Sequence, residues 1–63
     1  MRAAELKRIL ARLGAEFAPG KGSHLKVVLK GRRTVIPMHA GDLKTGTLHA
    51  ILRQLGLRSE DLE

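Results

Sequence analysis

The sequence predicts an α+β domain in which a helix, three antiparallel strands and a second helix follow in order. Three observations support this prediction: apolar residues with helical spacing near each end, an alternating segment in the middle, and glycines between these segments. A chain of 63 residues forms a single core, so we expect one domain over residues 1–63. The expected architecture is a three-stranded antiparallel sheet with both helices on one face.

The two helices are predicted from apolar residues spaced three and four positions apart. The first covers about residues 3–13 and ends before Gly14. The second begins near Thr45 and ends before Gly56. Their apolar faces consist of Leu6, Ile9, Leu10 and Leu13 in the first helix and of Leu48, Ile51, Leu52 and Leu55 in the second.

The strands are predicted at residues 15–18, 24–30 and 33–36, with a turn at Gly31-Arg32. In the middle strand Leu25, Val27 and Leu29 would face the helices, while His24, Lys26, Val28 and Lys30 would face away from them. A two-residue or a four-residue hairpin loop would each pair Val27 with Ile36. Continued past Pro37, that register would bring His39 opposite His24.

The charge distribution indicates a polyanionic partner. The first 58 residues contain all twelve Lys and Arg but only three acidic residues, a formal charge of +9. Phe17 is the only aromatic residue, so base stacking on aromatic platforms is excluded as the main mode of binding. The chain has no cysteine and no segment resembling a signal peptide or a membrane span. We expect a cytoplasmic protein with no membrane contact.

His24 is the candidate for chemistry, because it follows the basic loop Gly20-Lys21-Gly22-Ser23 and lies on the open face of the sheet. Imidazole has an ordinary pKa of about 6.5 and suits acid or base roles in metal-free RNA cleavage. Lys21, Lys26 and Lys30 would hold the phosphate. The alternative is that His24 is simply an exposed residue. The histidine spacing predicts no metal site, and no acid is placed to form a nucleophilic triad with Ser23.

Several motifs in this order resemble the HicA family of toxins. They are Gly20-Lys21-Gly22-Ser23-His24 before a strand, Val35-Ile36-Pro37-Met38-His39 closing the next strand, and Lys44-Thr45-Gly46-Thr47-Leu48 opening the last helix. HicA toxins are small messenger-RNA interferases with a fold like that of double-stranded-RNA-binding domains, and each has a HicB antitoxin. The chain departs from many members in lacking an aromatic residue soon after the histidine.

The resemblance implies a metal-independent endoribonuclease of a type II toxin–antitoxin system, with His24 as the catalytic histidine. It also implies that Gly22 and Ser23 shape the loop that presents His24 and contact RNA. His39 is a candidate partner of His24 in proton transfer, on the register argument. No cofactor is expected, and a HicB-like antitoxin would cover the basic face of the sheet. Two alternatives stay open: an RNA-binding module of the same fold without chemistry, and a domain that binds only proteins.

Overall fold

The computed structural model describes all residues 1–63 and confirms the predicted order of helix, three strands and helix. The long elements are α1 (Ala3–Arg12), β1 (Glu16–Pro19), β2 (His24–Leu29), β3 (Arg32–Pro37) and α2 (Thr45–Leu55). Two short 3₁₀ helices, Met38–Ala40 and Ser59–Leu62, follow β3 and α2. None of the helices has the length and hydropathy that a membrane-spanning helix requires.

The hydrophobic core lies between the helices and one face of the sheet, which confirms that both helices cover the same face. Thr34, at the edge of this core, is the buried polar residue, and its hydroxyl donates a hydrogen bond of 2.6 Å to Gln54 Oε1 on α2. The core cluster comprises Ala3, Leu6, Leu10, Val27, Leu29, Ile36, Leu43, Ile51 and Leu55.

The three strands form one antiparallel sheet with β2 in the centre. The predicted register between β2 and β3 is wrong by two residues, because Val27 pairs with Thr34 rather than with Ile36. The cause is the turn, which is formed by Lys30 and Gly31 with φ of 50° and 81°. Positive φ at both turn residues matches the twist of the flanking strands, so this two-residue turn is favoured in hairpins. A shift of two residues leaves every side chain on its predicted face.

The segment after β3 is hydrogen-bonded to the start of the chain. Ala3 N donates to Gly41 O at 2.7 Å, and Leu43 N donates to Met1 O at 2.8 Å. Leu43, which the sequence places in a loop, is buried because these bonds hold it against α1. The loop that follows His39 is therefore fixed at its far end.

The side of the sheet away from the helices carries no covering element, and we call it the open face. It consists of Glu16, Ala18, His24, Lys26, Val28, Arg33, Val35 and Pro37, as register and alternation require. Val28 and Val35 lie near its centre and are 37% and 46% exposed, so the face combines apolar and cationic groups. Lys30 does not belong to it, because that residue is in the turn.

Candidate active site

The structure brings His24 and His39 together at one end of the open face. Their ring centroids are 5.9 Å apart, with the rings inclined at 63° in an edge-on arrangement. Both residues are exposed to solvent. The predicted proximity of the two histidines is confirmed, although the strand pairing that predicted it is wrong, because His24 stands opposite Pro37.

His39 reaches His24 through a bend in the chain after β3. The pairing continues one step beyond the strands, where Met38 N donates to Ser23 O at 3.2 Å. The 3₁₀ helix Met38–Ala40 then turns the backbone away from the straight path of the strand. A tighter helix rises only about 2 Å per residue, so His39 stays close to the end of the sheet.

Ser23 joins the two segments through its side chain as well. Its Oγ lies 2.9 Å from His39 Nδ1, within hydrogen-bonding distance. The sequence suggests no such contact, since Ser23 and His39 are sixteen residues apart. Topology offers the one signal for this contact, because the start of one strand and the end of its antiparallel neighbour lie at the same end of the sheet.

The backbone of the loop before β2 holds His24 from both directions. Gly20 N donates to His24 O at 3.0 Å, and His24 N donates to Lys21 O at 3.0 Å. A Cβ on Gly20 would stand 3.0 Å from His24 O, so a side chain there would displace the histidine backbone. Gly22 adopts φ +57° at the tip of the loop.

The predicted phosphate-binding lysines are divided between two places. Lys21 lies in the loop before His24, and Lys26 lies two residues along β2 on the same face, about 7 Å away along the strand. Lys30 is in the hairpin turn, about 20 Å from His24 along the strand, so it does not contribute to the same site. Arg33, which is not among the predicted phosphate-binding residues, lies on the open face opposite Val28.

The site contains no carboxylate. The only ion pair in the structure joins the N-terminal amine of Met1 to Asp42 Oδ1 at 3.3 Å, so neither histidine pairs with an acid to form a triad. His49 is exposed on α2, which packs on the other side of the sheet. The arrangement is therefore two neighbouring imidazoles beside lysines, which suits acid–base chemistry on a phosphodiester.

Comparison with known proteins points to one family. Residues 3–57 match the family described as "HicA toxin of bacterial toxin-antitoxin". A Pseudomonas fluorescens (strain Pf0-1) protein named "Probable mRNA interferase HicA" is 46% identical over 59 residues, which cover 92% of this chain and 98% of that protein. An Escherichia coli (strain K12) protein named "Probable mRNA interferase toxin HicA" is 43% identical over 58 residues, covering 90% and 98% respectively.

Proposed function

Because the chain belongs to the HicA family of bacterial toxins, we propose that it is an endoribonuclease that cleaves messenger RNA in the cytoplasm. The names of its relatives supply the substrate class. The observation that carries the chemistry is the pair of exposed imidazoles 5.9 Å apart at one end of the sheet. Two proton-transfer groups at one phosphodiester are what cleavage of RNA by its own 2′-hydroxyl requires.

In the proposed reaction His24 acts as the base and His39 as the acid. His24 removes the proton of a ribose 2′-hydroxyl, and that oxygen attacks the adjacent phosphorus. The bond from phosphorus to the 5′-oxygen breaks, and His39 protonates the leaving oxygen. The products are a 2′,3′-cyclic phosphate and a 5′-hydroxyl end. Lys21 and Lys26 stabilise the charge on the phosphate. Proton exchange with water then returns His24 to its neutral form and His39 to its protonated form.

This mechanism assigns both proton transfers to side chains, so we propose that cleavage requires no metal ion. We also propose that a HicB-like antitoxin neutralises the toxin by covering the open face. Exposed valines beside Lys26 and Arg33 form the mixture of apolar and cationic groups that suits an acidic protein partner.

The test is His24→Ala, compared with His49→Ala as the matched control. Each substitution removes one exposed imidazole, so neither should change the fold. We expect His24→Ala to lower the rate of RNA cleavage by about 10²- to 10⁴-fold, as for loss of a general base. His49→Ala should cleave at the wild-type rate. Purified RNA, gel analysis of products and a parallel reaction in EDTA provide the measurement.

Cleavage at the wild-type rate by folded His24→Ala protein would refute the catalytic assignment. Loss of cleavage in EDTA would refute metal independence. The principal alternative is an RNA-binding module without chemistry, favoured by the cations near His24. It predicts salt-sensitive binding that leaves the RNA intact. New 2′,3′-cyclic phosphate ends in the product distinguish the nuclease from this module.

A further inference from the structure

We infer that Ser23 is a positioning residue for His39 and keeps the Nε2 atom of that histidine directed at the substrate through the proton-transfer cycle. The inference rests on the proposed function, since it concerns the acid of that reaction. The sequence predicts only that Ser23 shapes the loop and contacts RNA. The structure adds a specific partner, because Ser23 Oγ lies 2.9 Å from His39 Nδ1.

The geometry leaves one ring nitrogen of His39 for the reaction. Nδ1 is engaged by Ser23, and Nε2, on the other side of the ring, is not part of that bond. Which nitrogen carries the proton is set by the hydrogen bond that the other makes. A contact at Nδ1 can therefore hold the direction of Nε2 without touching the substrate.

A hydroxyl group suits this task because it both donates and accepts. When His39 is an imidazolium, its Nδ1–H donates to Ser23 Oγ and its Nε2–H faces the leaving oxygen. After the proton has passed to that oxygen, Nδ1–H still donates to the same hydroxyl. When Nε2 instead holds the proton of the neutral ring, the hydroxyl donates to Nδ1. The ring keeps one orientation in all three states.

The hydrogen bond between Ser23 and His39 can be removed without disturbing the fold. Ser23 and His39 are both exposed, and the backbone bond from Met38 N to Ser23 O at 3.2 Å joins the same segments independently of the side chain. An exposed hydrogen bond between two side chains contributes little to the stability of the fold. Ser23→Ala should therefore fold normally while freeing the imidazole to rotate.

Steady-state cleavage by Ser23→Ala tests the inference, with Ser23→Thr as the conservative variant and exposed Ser59→Ala as control. We expect kcat to fall roughly tenfold, less than the loss for removing the acid itself, with KM unchanged. Ser23→Thr should recover most of the rate, and Ser59→Ala should resemble wild type. A direct phosphate contact by Ser23 would instead raise KM with kcat unchanged, which would overturn the inference.

The double variant decides whether Ser23 acts through His39. In a His39→Ala background, Ser23→Ala should cause no further loss, because its target is already absent. The wild-type pH profile of kcat should be bell-shaped, and Ser23→Ala should move the limb that His39→Ala removes. A tenfold loss of equal size in both backgrounds would show that Ser23 acts independently, and the inference would fail.

A measurement without cleavage separates this inference from the proposed function. In a His24→Ala protein, ¹⁵N chemical shifts report which nitrogen of His39 is protonated at each pH. We expect Ser23→Ala to change the Nδ1 signal of His39 and to leave that of exposed His49 unchanged. An unchanged His39 signal would overturn the role of Ser23, whereas absence of cleavage by the wild-type protein would overturn the proposed function alone.

Discussion

At the scale of single residues, the loop before β2 requires glycine for two different physical reasons. Gly20 lies so close to His24 O that a Cβ would stand 3.0 Å away. Gly22 has open space around it but adopts φ +57°, a conformation that costs other residues roughly 1–2 kcal/mol. Gly31, in the hairpin turn at the other end of β2, also has open space around it and adopts φ +81°. It serves as a matched control.

We expect Gly22→Ala and Gly31→Ala to lower the free energy of unfolding by similar amounts, about 1 kcal/mol each, since both force alanine into the left-handed region. Only Gly22→Ala should also slow RNA cleavage, because only its loop carries His24. Urea denaturation measures the first effect and a cleavage assay the second. Equal cleavage by the two variants would show that the loop conformation does not govern presentation of the histidine.

At the scale of the elements, the open face divides into an end that carries the two histidines and a central patch. The histidines lie at the end where β2 begins and β3 finishes. Val28 and Val35 occupy adjacent cross-strand rows beside Lys26 and Arg33. Catalysis as proposed uses the end, and the exposed valines are better suited to an apolar contact with a protein. We therefore expect the proposed antitoxin to cover the site while gaining its affinity from a neighbouring surface.

We expect the double substitution Val28→Thr and Val35→Thr to weaken antitoxin binding at least tenfold, since each added hydroxyl would have to lose water at the interface. Threonine keeps the branched shape that suits a strand, so the sheet should persist. Leu13→Gln is the control, because Leu13 is 38% exposed at the end of α1, away from the open face. Calorimetric titration with the antitoxin measures the affinities. Wild-type affinity in the double variant would place the antitoxin elsewhere.

At the scale of the whole molecule, nine buried residues form a core that is separate from the proposed active site. A chain of this length has a total stability of only about 3–9 kcal/mol. The site residues Ser23, His24 and His39 are all exposed, so they contribute little to that total. Substitutions in the site should thus lower activity without unfolding the protein, whereas core substitutions should lower both activity and stability.

We expect Leu10→Ala to lower the free energy of unfolding by about 2–5 kcal/mol, a large share of the total, because Leu10 is completely buried. Leu13→Ala on the same turn of chain should cost much less, since that side chain already contacts solvent. Thermal and urea denaturation provide the comparison. Similar losses for the two variants would contradict the burial of α1 against the sheet.

The elements were predictable because their signals are local. Helical spacing marks α1 and α2, and alternation places His24 and Lys26 on the face away from the core. The hairpin register was not predictable in the same way, because Lys30 adopts a positive φ, which its residue type does not indicate. Lys30 therefore lies in the turn and not on the open face, where alternation along β3 places Arg33.

By itself the sequence determined the α+β order, the faces of the strands, the excess of positive charge and the position of His24 on the open face. Only the tertiary structure decided which groups meet that histidine. His39 approaches because a 3₁₀ turn follows β3, and Ser23 bonds His39 rather than its neighbour His24. Periodicity depends on residues a few positions apart, whereas these contacts depend on the path of the backbone between segments sixteen residues apart.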